Sequence, residues 1–86
     1  MKIKRVVLNG TLLSDEKTAH GYLKEKLDFP EYYGRNLDAL YDCLTELTDM
    51  ELVIIESEET TGYFQKIKRV FLGAQRKNKR ITIQFE

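Results

Sequence analysis

The residues with the most chemical character lie between Phe29 and Glu46. Asp38 and Asp42 stand four apart, a spacing that puts both carboxylates on one face of a helix. Glu46 lies one turn beyond Asp42, Tyr41 and Thr45 flank the aspartates, and Tyr32 and Tyr33 precede the helix in a loop. These carboxylates and exposed aromatics have Arg35 as the only nearby base. Like charges at this spacing destabilise a helix by about 0.2–0.5 kcal/mol. Asp38 recovers some of that from the macrodipole at the helix start; Asp42 does not. A basic partner would resolve the repulsion, and a plain solvated acidic face is the alternative.

Other chemistries fit poorly. Acid–base catalysis needs two groups in different environments, usually in a cleft, and two carboxylates on one helix face share theirs. Two helical oxygens do not make a calcium site, which wants six to eight ligands and an encircling loop. No His/Cys cluster suggests zinc, and the glycines form no phosphate-binding motif, so neither metal nor cofactor is expected. His20, beside Gly21 on a helix flank, reads as a surface histidine. Cys43, three after Leu40 and four before Leu47, reads as a small buried hydrophobe.

The elements that position these groups follow from periodicity. Ile3–Leu8 is a β-branched run ending at the turn signal Asn9-Gly10. Ser14 is a candidate cap for a helix whose stripe is Ala19, Tyr22, Leu23 and Leu27, ended by Pro30. Asn36 is a candidate cap for the next, with Leu37, Leu40, Leu44 and Leu47 on its inward face. Leu52–Ile55 suits a strand buried on both faces. Glu56–Gly62 is a polar connection; Tyr63, Phe64, Ile67, Val70, Phe71 and Ala74 mark a third helix; and Ile81, Ile83 and Phe85 alternate as a last strand. The order β-α-α-β-α-β predicts an α/β fold: one domain over residues 1–86, with a three-stranded parallel sheet and helices packed on it.

Charge is segregated although the formal net charge is zero. Residues 1–27 hold six bases and three acids, residues 28–59 one base and ten acids, and residues 60–86 seven bases and one acid. An acidic middle can attract a basic partner even when the total cancels, unless the regions pair within the fold. The basic carboxy-terminal residues Lys66, Lys68, Arg69, Arg76, Lys77, Lys79 and Arg80 could meet phosphates, but no aromatic platform is interleaved with them, so no nucleic-acid partner is expected. One cysteine allows no internal disulfide, which suits a reducing compartment, the cytoplasm. The first apolar run is too short for a signal peptide and none approaches a membrane span, so no membrane partner is expected.

The string Phe29-Pro30-Glu31-Tyr32-Tyr33-Gly34-Arg35-Asn36-Leu37-Asp38-Ala39-Leu40-Tyr41-Asp42-Cys43-Leu44-Thr45 resembles the barstar family, and the resemblance runs through most of the chain. It implies a three-stranded parallel sheet with packed helices and, in place of an enzyme, an intracellular inhibitor of a guanyl-type, barnase-like ribonuclease. The expected partner is one basic secreted-type nuclease per inhibitor, the free protein being a monomer. By the same resemblance Asp42 would enter the nuclease active site as a stand-in for RNA phosphate, and Asp38 would pair with nuclease arginines. Tyr32 would cover the catalytic region, with Asn36 and Thr45 in supporting polar contacts; Glu46 extends the acidic rim. Tyr41 stands where the family has tryptophan, Gly73 where it can place an acid, and the connection after Leu52–Ile55 looks shorter, which puts a short extra helix in doubt. The alternative is an interaction or antitoxin-like module of the same fold with a different target.

Overall fold

The β-branched run at the start forms β1 (Lys4–Asn9), one residue later than its apolar pattern suggests, and leaves Ile3 exposed. The computed structural model describes residues 2–57 and 62–86. β1 pairs in parallel with β2 (Met50–Ile55), which pairs in parallel with β3 (Ile81–Phe85), giving the order β1-β2-β3. The central strand is buried where it is most apolar, at Leu52, Val53 and Ile54. Three helices lie between the strands: α1 (Glu16–Lys26), α2 (Leu37–Glu46) and α3 (Tyr63–Lys77). The element order is the β-α-α-β-α-β expected, with the expected three-stranded parallel sheet. One core joins Leu8, Leu52 and Ile54 of the sheet to Leu23 of α1, Leu40 and Leu44 of α2, and Phe64, Ile67 and Phe71 of α3.

Two local readings change. The Asn9-Gly10 pair does not turn the chain into a loop but opens a short 3-10 helix, Gly10–Leu13, with the Asn9 side chain accepting from the Thr11 amide at 3.0 Å. Gly10 is required there by close approach: a Cβ would stand 2.8 Å from the Glu56 carbonyl oxygen. Because the 3-10 turn carries Ser14 along in helical conformation, Asp15, in extended conformation, caps α1 and accepts from the Thr18 amide at 3.0 Å. Ser14 offers its carbonyl to the Tyr63 amide at 3.1 Å. That amide opens α3 just after Gly62, whose φ of 65° is glycine territory. Most of the Glu56–Gly62 connection, including the place of any short extra helix, lies outside the described residues.

Candidate functional site: an acidic helix edge

α2 is positioned from both ends by side chains. At its start, Asn36 is the cap, its Oδ1 accepting from the Ala39 amide at 2.7 Å. At its end, Asn78, buried at the close of α3, donates from Nδ2 to the carbonyls of Leu44 (3.0 Å) and Leu47 (2.8 Å). A helix leaves its last-turn carbonyls short of intrahelical partners; Leu44 otherwise accepts only a long 3.3 Å bond, from the Leu47 amide, among the described residues. Asn78 Oδ1 accepts from the Arg80 amide at 2.9 Å, so the asparagine is itself held. The leucine stripe fixes rotation: Leu40 and Leu44 are fully buried, with Leu37 and Leu47 packed beside them.

That rotation turns Asp38, Asp42 and Glu46 outward, all three exposed. Among the described residues none of them is in an ion pair. Other acids of the middle segment do pair with bases from elsewhere: Glu51 with Arg5 (3.8 Å), Glu31 with Lys24 (3.3 Å) and Asp49 with Arg80 (2.8 Å). Internal pairing therefore accounts for part of the charge segregation and passes over α2. Arg35 does not turn toward the aspartates. It lies against α1, where its Nη1 would be 3.5 Å from a Cβ on Gly21.

Beside the acidic stripe is an open depression of about 570 Å³, between the 27–34 connection and α2. Its lining includes Asp28, Phe29, Tyr32, Gly34, Asp42, Cys43 and Glu46. Tyr32 stands at its rim and is 88% exposed. Cys43 is half-buried, less enclosed than its place between two leucines suggested. Its thiol is pushed up, by burial first and then by the Glu46 and Asp42 carboxylates, so it stays a protonated thiol at neutral pH.

The remaining expected residues are less free than the sequence suggested. Tyr41 is half-buried against the core and lies beside Gly73 of α3, because its position on the helix is shared between the outer face and the α2–α3 contact. Thr45 is half-buried and its hydroxyl donates to the Asp42 carbonyl at 2.9 Å. Asn36 is exposed, but its carboxamide is engaged in the cap and in a 3.3 Å bond to the Gly34 carbonyl. Tyr33, grouped with the exposed aromatics, is buried against Phe29, with ring centroids 4.9 Å apart.

His20 is the largest departure. It is not a surface residue but 1% exposed, its Nδ1 lying 2.6 Å from the Tyr33 hydroxyl and its Nε2 2.8 Å from that of Tyr63. Burial, aided by Arg35 and opposed by Glu16, holds its imidazole below the ordinary range. Burial also raises the Tyr33 and Tyr63 hydroxyls, so both stay protonated. The signal for this was present: His20 falls between Ala19 and Leu23, inside the buried stripe of α1. Among the described residues no three His, Cys, Asp or Glu side chains are grouped to hold a metal ion, and no helix is long and apolar enough to cross a membrane.

Comparison with known proteins adds two findings. Residues 3–86 match the model of the family described as barstar (barnase inhibitor). A curated relative from Bacillus subtilis (strain 168), named "Putative ribonuclease inhibitor YrdF", is 45% identical over 53 residues, 62% of this chain. The matched stretch covers 58% of that relative.

Proposed function

The chain belongs to the barstar family, and from that premise we propose that it inhibits a guanyl-type, barnase-like ribonuclease by occupying its active site, one inhibitor to one nuclease. It acts by binding and not by catalysis, inside the cell that makes the nuclease. The observation that carries this reading is the exposed stripe Asp38, Asp42 and Glu46, which among the described residues is in no ion pair while Glu31, Asp49 and Glu51 are paired. A nuclease cleft that binds RNA presents cations arranged for phosphate, and rigid carboxylates on α2 can accept the same charge-assisted hydrogen bonds. Asp42 enters the cleft, Asp38 and Glu46 meet cations at its rim, and Tyr32 lies over the opening. Asn36 and Thr45 act through the helix, by holding its first turn and its outward backbone, and Tyr41 adds its exposed edge.

The test is titration of barnase with the purified protein, following RNA cleavage, at low and high salt. Inhibition with a one-to-one endpoint and association slowed by salt is expected. Asp42→Ala should weaken the complex by about 2–5 kcal/mol, a range that rests in part on complexes of this same family. If Asp38→Ala and Asp42→Ala both inhibit as well as the parent, phosphate mimicry by α2 is wrong. The second reading is a different target, favoured by the absence of an acid at Gly73, whose position beside Tyr41 would place one near the binding edge. Failure to bind any member of a panel of guanyl-type ribonucleases would select it.

A further inference from the structure

The 28–36 connection, which carries Tyr32, has no regular secondary structure and left-handed residues near both ends, Asp28 (φ 56°) and Arg35 (φ 53°). Its backbone is tied by Phe29 N–H to the Lys24 carbonyl and Tyr33 N–H to the Pro30 carbonyl, both 2.9 Å, and by Asn36 Nδ2 to the Gly34 carbonyl at 3.3 Å. Lys24 of α1 holds the exposed Glu31 carboxylate at 3.3 Å, and two side chains anchor the connection inward, Phe29 and Tyr33, of which Tyr33 has a buried polar partner, the imidazole of His20 at 2.6 Å. Tyr32 is 88% exposed, so its place is set by the residue beside it in the chain. We propose that His20 is the positioning residue of the binding edge: through the Tyr33 hydroxyl it holds the connection in the shape that presents Tyr32 and leads into α2.

This inference rests on the ribonuclease-binding reading and names a residue that reading does not use. A neutral imidazole has one donor nitrogen and one acceptor nitrogen, so one tyrosine hydroxyl donates to His20 and the other accepts from it. Protonation makes both nitrogens donors. The hydroxyl that was donating must then turn its proton away and accept from the ring instead, and for a buried hydroxyl that proton is left without an acceptor. The groups facing the cluster are Asp15, Glu16 and Lys17 on α1, Arg35 from the connection and Tyr63 from α3, with Cys43 of α2 facing Tyr33. Burial outweighs the Glu16 carboxylate and favours the neutral ring. Acid therefore loosens the connection, and affinity falls by the fraction of molecules in which it is out of place.

The experiment pairs two readouts, amide hydrogen exchange of residues 31–36 in the free protein and affinity for barnase between pH 5 and 8. His20→Leu and Tyr33→Phe should speed exchange in 31–36 while α3 stays protected, and should weaken barnase binding about tenfold if the connection is then in place about a tenth of the time. His20→Gln, which can still donate and accept but does not titrate, should bind within about threefold of the parent at pH 7 and lose the acid weakening that exceeds the nuclease's own titration. Exchange in 31–36 unchanged by both Tyr33→Phe and His20→Leu overturns the proposal, as does an identical pH profile for parent and His20→Gln. Faster exchange in the variants with no barnase binding by the parent keeps the positioning role and removes the ribonuclease reading instead.

Discussion

Asn78→Ala removes the side chain that closes the far end of α2. Three hydrogen bonds go with it: two donated to Leu44 and Leu47 and one accepted from Arg80. The Leu44 carbonyl keeps a 3.3 Å bond from the Leu47 amide, so losing the asparagine's bond to it costs about 0.5–1.5 kcal/mol. The other two groups are part-buried and can recruit water, so each loss costs about 0.5–1.5 kcal/mol. The expected total is about 3 kcal/mol, in a chain whose whole stability should be of order 4–13 kcal/mol at its length. At roughly 4–8 °C per kcal/mol for a domain of this size, the melting temperature should fall by about 15–20 °C. Asn78→Asp is the sharper form, because it keeps the shape and puts a carboxylate oxygen where the two donors were. At pH 7 it should be less stable than Asn78→Ala. The gap should narrow as pH falls toward the ordinary aspartate value of about 4, since a folded state that favours the protonated acid gains stability on the acid side. Thermal and urea denaturation followed by circular dichroism, with exchange at residues 44–47, measures all of this. If Asn78→Asp melts within a degree or two of the parent, the asparagine contributes no hold on α2 and the account of how that helix is positioned is wrong.

The buried imidazole makes stability itself pH-dependent. With the folded value of His20 below 6.5, the unfolded chain binds the extra proton first, so its contribution to stability is full above about pH 6.5 and is lost as pH falls from there toward the folded value. Urea midpoints from pH 8 to 5 should show this decline in the parent and a flatter one in His20→Gln. Gly73→Ala should raise stability by about 0.5–1 kcal/mol, because the position is inside α3 and a Cβ there would meet Tyr41 only at an ordinary 3.8 Å. Gly62→Ala should do the reverse, by about 1–3 kcal/mol, since it combines a positive φ with a Cβ 2.9 Å from the Ser14 carbonyl oxygen; a melting curve that falls for Gly73→Ala, or rises for Gly62→Ala, contradicts the corresponding assignment.

What the sequence made legible was the regular part. The leucine spacing of α2, the β-branched run of β2 and the alternation of β3 each encode a face, and the faces determined the layers and the outward turn of Asp38 and Asp42. Less legible were features decided by contacts between distant segments. Ser14 and Asp15 are both good caps by type, and the 3-10 helix before them decides which one acts. His20 looked peripheral because its two partners are 13 and 43 residues away in the chain. Tyr32 and Tyr33 are the same residue type side by side, and only the core beneath the connection separates an exposed ring from a buried one. Asn78, in a run of bases, gave no local sign that it serves another helix 31–34 residues earlier.

The acidic stripe is costly to the free protein in a specific way. Glu46 sits in the last turn of α2, where the helix dipole disfavours negative charge by about 0.3–1 kcal/mol, and that turn holds no base to offset it. Asp42 lies one turn from each of two other acids. A fold selected for its own stability would place Lys or Arg there, and this chain has such pairs at Glu31, Asp49 and Glu51. On α2 the last turn is secured instead by a neutral amide, Asn78, which satisfies the terminal carbonyls without cancelling the charge outside them. A helix so fastened can remain rigid and uncompensated at once, and those are the two properties that the proposed phosphate mimicry would require: ordering completed before association, and the favourable pairing left for a partner to make.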